Sequence, residues 1–151
     1  MVAVQRQDTI DRMNQRQNRC FYTSYSEMNE VLNRFATEAE ADDIWVSAEV
    51  QELKENRSGK RLCQIVSMAL DTARRNCIET TPPRGRYIRI RCRDIQEQTL
   101  IKIQYSCEDR VIREFDKSII KMRDLIESSY GYLKIQLDSD VGCIKIAIPD
   151  A

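Results

Sequence analysis

Five short segments of this chain alternate between apolar and polar residues, and that period of two constrains the fold more than any other feature. Ile44, Val46, Ala48 and Val50 alternate with Trp45, Ser47 and Glu49. Ile88, Ile90 and Cys92 alternate with Tyr87, Arg89, Arg91 and Arg93, and Ile101, Ile103 and Tyr105 with Leu100, Lys102 and Gln104. The chain closes with Leu133, Ile135 and Leu137, a turn at Asp138 to Asp140, then Ile144, Ile146 and Ile148. Strands buried on both faces read as continuous apolar runs. Alternation belongs to a sheet with one covered face and one wet face.

Three further segments carry the helical period and supply the cover. Ser24 and Glu27 fit a capping box, followed by Met28, Val31, Leu32, Phe35, Ala36 and Ala39, which predicts a helix over 25–40. After a loop at Glu55 to Lys60, Leu62, Ile65, Val66, Ala69, Leu70, Ala73 and Cys77 predict a second helix over 61–78, ended before Pro82-Pro83. Phe115, Ile119, Met122, Leu125 and Ile126 predict a third. The expected fold is an α/β two-layer sandwich, a mixed sheet of about five strands with three helices on one face. Burial is expected to be high at Leu32, Phe35, Ile65, Leu70, Ile103, Ile126 and Ile135, and low at Arg89, Arg91 and Lys102.

At 151 residues the chain is about one domain long. Residues 1–22 read as a polar helix or arm and residues 23–151 as the domain. No stretch approaches the roughly 20 apolar residues of a membrane helix, and residues 1–19 are too polar for a signal peptide. A cytoplasmic protein without membrane contact is expected. With 24 basic and 24 acidic residues, any attraction to a charged partner must come from a local patch. Histidine is absent, which excludes His-ligated zinc, His-assisted nucleophiles and a phosphohistidine on this chain. The six cysteines form no C-x-x-C pair and read as reduced, small apolar residues.

Three words give the pattern a family likeness. Met28-Asn29-Glu30-Val31-Leu32-Asn33-Arg34-Phe35-Ala36-Thr37-Glu38-Ala39 is similar to the helix before the first strand in ATP-binding domains of the GHKL superfamily. The run Leu62 to Cys77 resembles "LC.LLGNLLDNAIEAC", and Leu125 to Ile135 resembles "iVekyGGeLkI". Over about residues 25–149 the chain most resembles the domain of sensor histidine kinases of the quorum-sensing and peptide-sensing type. The resemblance implies a Bergerat-like fold, a bacterial-type two-component signalling context, and ATP with magnesium as ligands of an active member.

The departures from the family pattern fall at its chemistry. The family's helix presents an acid or Asn and, four residues on, an Asn that coordinates the magnesium bridging the phosphates; here those positions are Met68 and Thr72, with Asp71 on a neighbouring face. A thioether is a poor magnesium ligand. The adenine box D-x-G falls at Glu108-Asp109, and the glycines that open the last helix are replaced at Asp116 and Ser118. Residues 109–115 are too few for the family's long lid. Asp71, Thr72 and Glu108 therefore mark a vestigial nucleotide pocket. No catalytic residue, no metal ligand and no cofactor is expected.

The alternation also predicts an open face carrying Trp45, Tyr87, Arg89, Arg91, Arg93, Lys102, Tyr132, Lys134 and Lys145. Among these, Trp45, Tyr87, Arg89, Arg91 and Arg93 are the expected docking residues for a protein partner, a kinase or regulator. Nucleic acid is not expected, since the motifs of an RNA-binding sheet are missing. Arg6-Gln7-Asp8 has Gln where a phosphoacceptor helix has His, and the N-terminal segment is a candidate homodimer contact. The sequence thus reads as a degenerate histidine-kinase-type domain, a pseudokinase acting as a regulatory or interaction module. The alternative is an active ATP-binding kinase, either a histidine kinase half or an anti-sigma serine kinase.

Overall fold

The computed structural model describes residues 26–51, 59–108 and 117–149. Ser24, Phe115, Asp116, the N-terminal arm and the segment 109–116 lie outside the described residues. The elements follow in the order α1 (Ser26–Ala41), β1 (Trp45–Gln51), α2 (Gly59–Thr80), a 3-10 turn (Pro83–Gly85), β2 (Tyr87–Ile95), β3 (Gln98–Ser106), α3 (Lys117–Ser128), β4 (Tyr132–Asp138) and β5 (Val141–Pro149). Lys60, expected in a loop, lies in the first turn of α2.

The five strands form one sheet in the order β1-β2-β3-β5-β4. β1 and β2 are parallel and the other pairs antiparallel. Two tight turns set the hairpin registers. Gln96 and Glu97 (φ 48° and 64°) join β2 to β3, and Ser139 and Asp140 (φ 46° and 68°) join β4 to β5. Two successive left-handed residues match the twist of the strands they connect.

All three helices pack on one face of the sheet. Met28, Leu32, Phe35 and Ala39 of α1, the Leu62 to Cys77 stripe of α2, and Met122 and Ile126 of α3 meet Ile88, Ile90, Cys92, Ile101, Ile103, Tyr105, Ile144, Ile146 and Ile148 in one core. Ile135 is only half-buried, contrary to expectation. β4 is an edge strand, so its inward side chains have a neighbouring strand on one side alone.

Helix ends are closed by backbone geometry. After α1, Asp43 N–H donates to Glu40 O and Ile44 N–H to Ala39 O at 3.1 and 3.0 Å. After α3, Tyr130 N–H donates to Glu127 O and Gly131 N–H to Ile126 O at 3.0 and 2.8 Å. Both are Schellman closures whose left-handed residue is not glycine: Asp43 has φ 57° and Tyr130 has φ 58°. Gly131 is needed for another reason, since a Cβ there would stand 2.7 Å from Ala147 O. Arg86 ties two helix ends together, donating to Thr81 O (2.8 Å) and Ile78 O (3.3 Å) at the end of α2 and to Asp42 O (2.9 Å) beyond α1. A cation at two helix C-termini also meets the negative end of both dipoles.

Cys63, Cys77, Cys92, Cys107 and Cys143 are buried. Burial pushes the Cys92 thiol up to about 12, with Asp94 adding to the shift. A thiol held protonated is a poor nucleophile.

Candidate functional site

Two surfaces were marked by the sequence, and the helix α2 carries the first. Thr72 is buried, 3% exposed, and its hydroxyl donates to Met68 O at 2.9 Å. The two side-chain positions four residues apart thus belong to one turn of α2, where the hydroxyl of one is turned onto the carbonyl of the other. Asp71 points to solvent. Glu108 is exposed beyond the end of β3, with Oε1 3.8 Å from where a Cβ on Gly85 would stand. Gly85 follows the C-terminal end of α2, and Thr72 lies about 12 Å back along the axis from that end. Glu108 therefore belongs to a different part of this surface from Asp71 and Thr72.

A residue not singled out by sequence sits between them. Asn76, one turn after Thr72, hydrogen-bonds to Tyr105, whose hydroxyl is pushed up to about 12 by burial, with Cys107 adding to the shift and the Asn76 bond opposing it. The ring of Tyr105 lies over Gly142, where a Cβ would meet it at 2.2 Å. Nearby, Cys77 Sγ and Ser106 Oγ are 3.1 Å apart, and burial raises the Cys77 thiol.

The open face of the sheet is the second surface. Trp45 pairs with Tyr87, Ser47 with Arg89, Glu49 with Arg91 and Gln51 with Arg93 across the parallel β1–β2 ladder. Trp45, Arg89, Arg91 and Arg93 are exposed, whereas Tyr87 is half-buried. Glu49 Oε2 lies 3.2 Å from Arg91 Nε. Both side chains are more than half exposed, so this pair contributes little to stability.

Registers across the remaining strands extend the pattern. Arg91 faces Lys102, Lys102 faces Lys145, and Lys145 faces Lys134. Four cations on four adjacent strands thus form one transverse row, with Glu49 at its β1 end. Alternation put these residues on the open face, but their alignment depends on β5 lying between β3 and β4. Lys102 is half-buried, not fully exposed as expected, because on the central strand its stem is walled by neighbours on both sides.

Hollows flank the row. One of about 490 Å³ is lined by Arg91, Arg93, Leu100, Lys102, Tyr132 and Lys145, among others. Another of about 620 Å³ lies toward Gln104, Gln136 and Cys143, and again takes Lys102 and Lys145 in its wall. Cys143 feels both lysines: burial raises its thiol while their charges lower it.

Solved structures share this architecture. The catalytic domain of histidine kinase ThkA superposes with a TM-score of 0.66 at 16% identity, over 83% of this chain and 90% of that one. The fold is that of histidine kinase catalytic domains. The Acinetobacter baumannii histidine kinase AdeS gives a TM-score of 0.67 at 11% identity, covering 95% of this chain and 76% of its own. Full-length ShkA in complex with AMPPNP gives 0.67 at 11% identity, covering 84% of this chain and 30% of that one. No family model matches the sequence, and neither does any curated protein. The histidine-kinase fold agrees with the GHKL-type domain expected from the three sequence words. Among the described residues no helix is long and apolar enough to cross a membrane.

Proposed function

We propose that this histidine-kinase-fold domain is a non-catalytic regulatory module that works in signalling by binding a protein partner. The observation that carries the reading is Thr72. At the position where the resembled family supplies a magnesium-binding Asn, this chain has a 3%-exposed hydroxyl whose hydrogen is committed to Met68 O. Magnesium keeps several of its waters and takes hard oxygens in near-octahedral geometry. A buried neutral oxygen and the Met68 thioether do not fit it. Asp71 points elsewhere, and Asn76, one turn on, is engaged with Tyr105.

The sequence around the phosphate site supports the same reading. Asp116 and Ser118 stand where the family's glycines let backbone amides approach phosphate oxygens. A carboxylate and a phosphate oxygen about 4 Å apart repel by roughly 4 kcal/mol at an effective dielectric near 20.

Calorimetric titration of the full chain with magnesium-ATP tests the proposal. The expected result is no saturable binding tighter than about 0.1 mM. The triple variant Thr72→Asn, Asp116→Gly, Ser118→Gly serves as a comparison and is expected to bind more tightly than the parent. A dissociation constant well below that value for the parent would replace this reading with an ATP-binding kinase domain, the ligand class that ShkA shows with AMPPNP.

A further inference from the structure

The transverse row of cations is costly for a sheet. Like charges directly opposite one another on neighbouring strands destabilise the pairing, and Arg91, Lys102, Lys145 and Lys134 make three such pairs in succession. The one carboxylate in register with the row is Glu49, and it reaches Arg91 at the end. Lys102 and Lys145 line the hollows on both sides of the row.

Resting on the binding-module reading above, we infer that this row is the docking site for an acidic helix of a protein partner, laid across the strands. Spacing selects the helix. Four cations on adjacent strands span about 14 Å, at roughly 4.8 Å per strand. Carboxylates at i, i+3, i+7 and i+10 of an α-helix share one face and span about 15 Å. An extended segment places alternate side chains about 6.6 Å apart, so four of them overrun the row by about 6 Å.

The surroundings complete the match. Leu100 and Ala147 lie in the next row toward one hollow, with Tyr132 exposed beside them, and they offer apolar contact to residues flanking the acids. Single-stranded nucleic acid needs a platform of several aromatics along its path, whereas Tyr132 is the aromatic that lines this hollow. The Glu49 carboxylate on Arg91 already shows the contact that each cation would make with the partner.

The test is fluorescence anisotropy of the full chain with a labelled helical peptide carrying glutamates at i, i+3, i+7 and i+10. Saturable binding that weakens with salt is expected, and Lys102→Glu with Lys145→Glu should reduce affinity by at least about tenfold. Because these changes turn two of the three like-charge pairs into opposite-charge pairs and leave the pair between positions 102 and 145 like-charged as before, the melting temperature should hold or rise, which separates lost binding from lost folding. Lys102→Gln with Lys145→Gln should weaken binding to a smaller extent. Unchanged affinity in the reversal variant would overturn the inference. So would equal binding of a peptide with the same glutamates spread around the helix, or tighter binding of a single-stranded oligonucleotide. The magnesium-ATP calorimetry separates the two proposals: nucleotide binding there would refute the non-catalytic reading, while a row-dependent peptide site in the anisotropy titration would still support this one.

Discussion

One residue along each strand separates two rows that differ in every respect. On the covered face Ala48, Ile90, Ile103, Ile144 and Ile135 stand in register across all five strands, and on the open face Glu49, Arg91, Lys102, Lys145 and Lys134 do the same. Ile90, Ile103 and Ile144 are 0% exposed, whereas Arg91, Lys145 and Lys134 are open to solvent. The first row removes apolar surface from water, and its composition follows from the need for a core. The second aligns like charges, and stability gives no reason for it. A feature that opposes folding and yet is built with regular geometry calls for a functional explanation.

The largest effects should come from the covered face. Ile103→Ala leaves a cavity at the centre of the core and should lower unfolding free energy by about 2–5 kcal/mol in urea denaturation. A loss below about 1 kcal/mol would mean that the row is less tightly packed than its burial implies. Gly142→Ala should follow with a loss of about 1–3 kcal/mol, because the added Cβ would meet the Tyr105 ring at 2.2 Å. Its near-ultraviolet signal should report the displaced tyrosine.

Tyr130, in the turn between α3 and β4, lies outside both rows. It is 90% exposed and holds a left-handed φ of 58° at the position where the resembled "yGG" word has its first glycine. Tyr130→Gly should therefore raise stability by about 0.5 kcal/mol, the relief of strain exceeding the added entropy of the unfolded chain. A loss of stability in the same denaturation experiment would show that the ring contributes packing.

How far the sequence reveals all this depends on the distance between the residues involved. The alternation of Ile88, Ile90 and Cys92 with arginines is a local pattern, and it placed both faces correctly. The helical stripe of Leu62 to Cys77 was equally legible, for the same reason. Strand order is not local: that β5 lies between β3 and β4 leaves Ile135 half-buried at an edge and brings Lys145 between Lys102 and Lys134. Arg86 joins carbonyls at two helix ends through a side chain whose neighbours in sequence, Gly85 and Tyr87, say nothing of it. At the candidate pocket, the residue types Met68 and Thr72 were readable, but the hydroxyl's commitment to Met68 O required coordinates.

The central claim is that the open-face row is maintained against stability, and Lys145→Glu tests it with one substitution. Lys145 faces Lys102 on one side and Lys134 on the other, so reversal converts two repulsive pairs into two attractive ones. Urea denaturation at low and high salt is the measurement. The predicted result is a gain of about 0.5 kcal/mol at low salt that shrinks as salt screens the exposed charges. A loss of stability at low salt would contradict the account, because it would show that the lysine row supports the sheet.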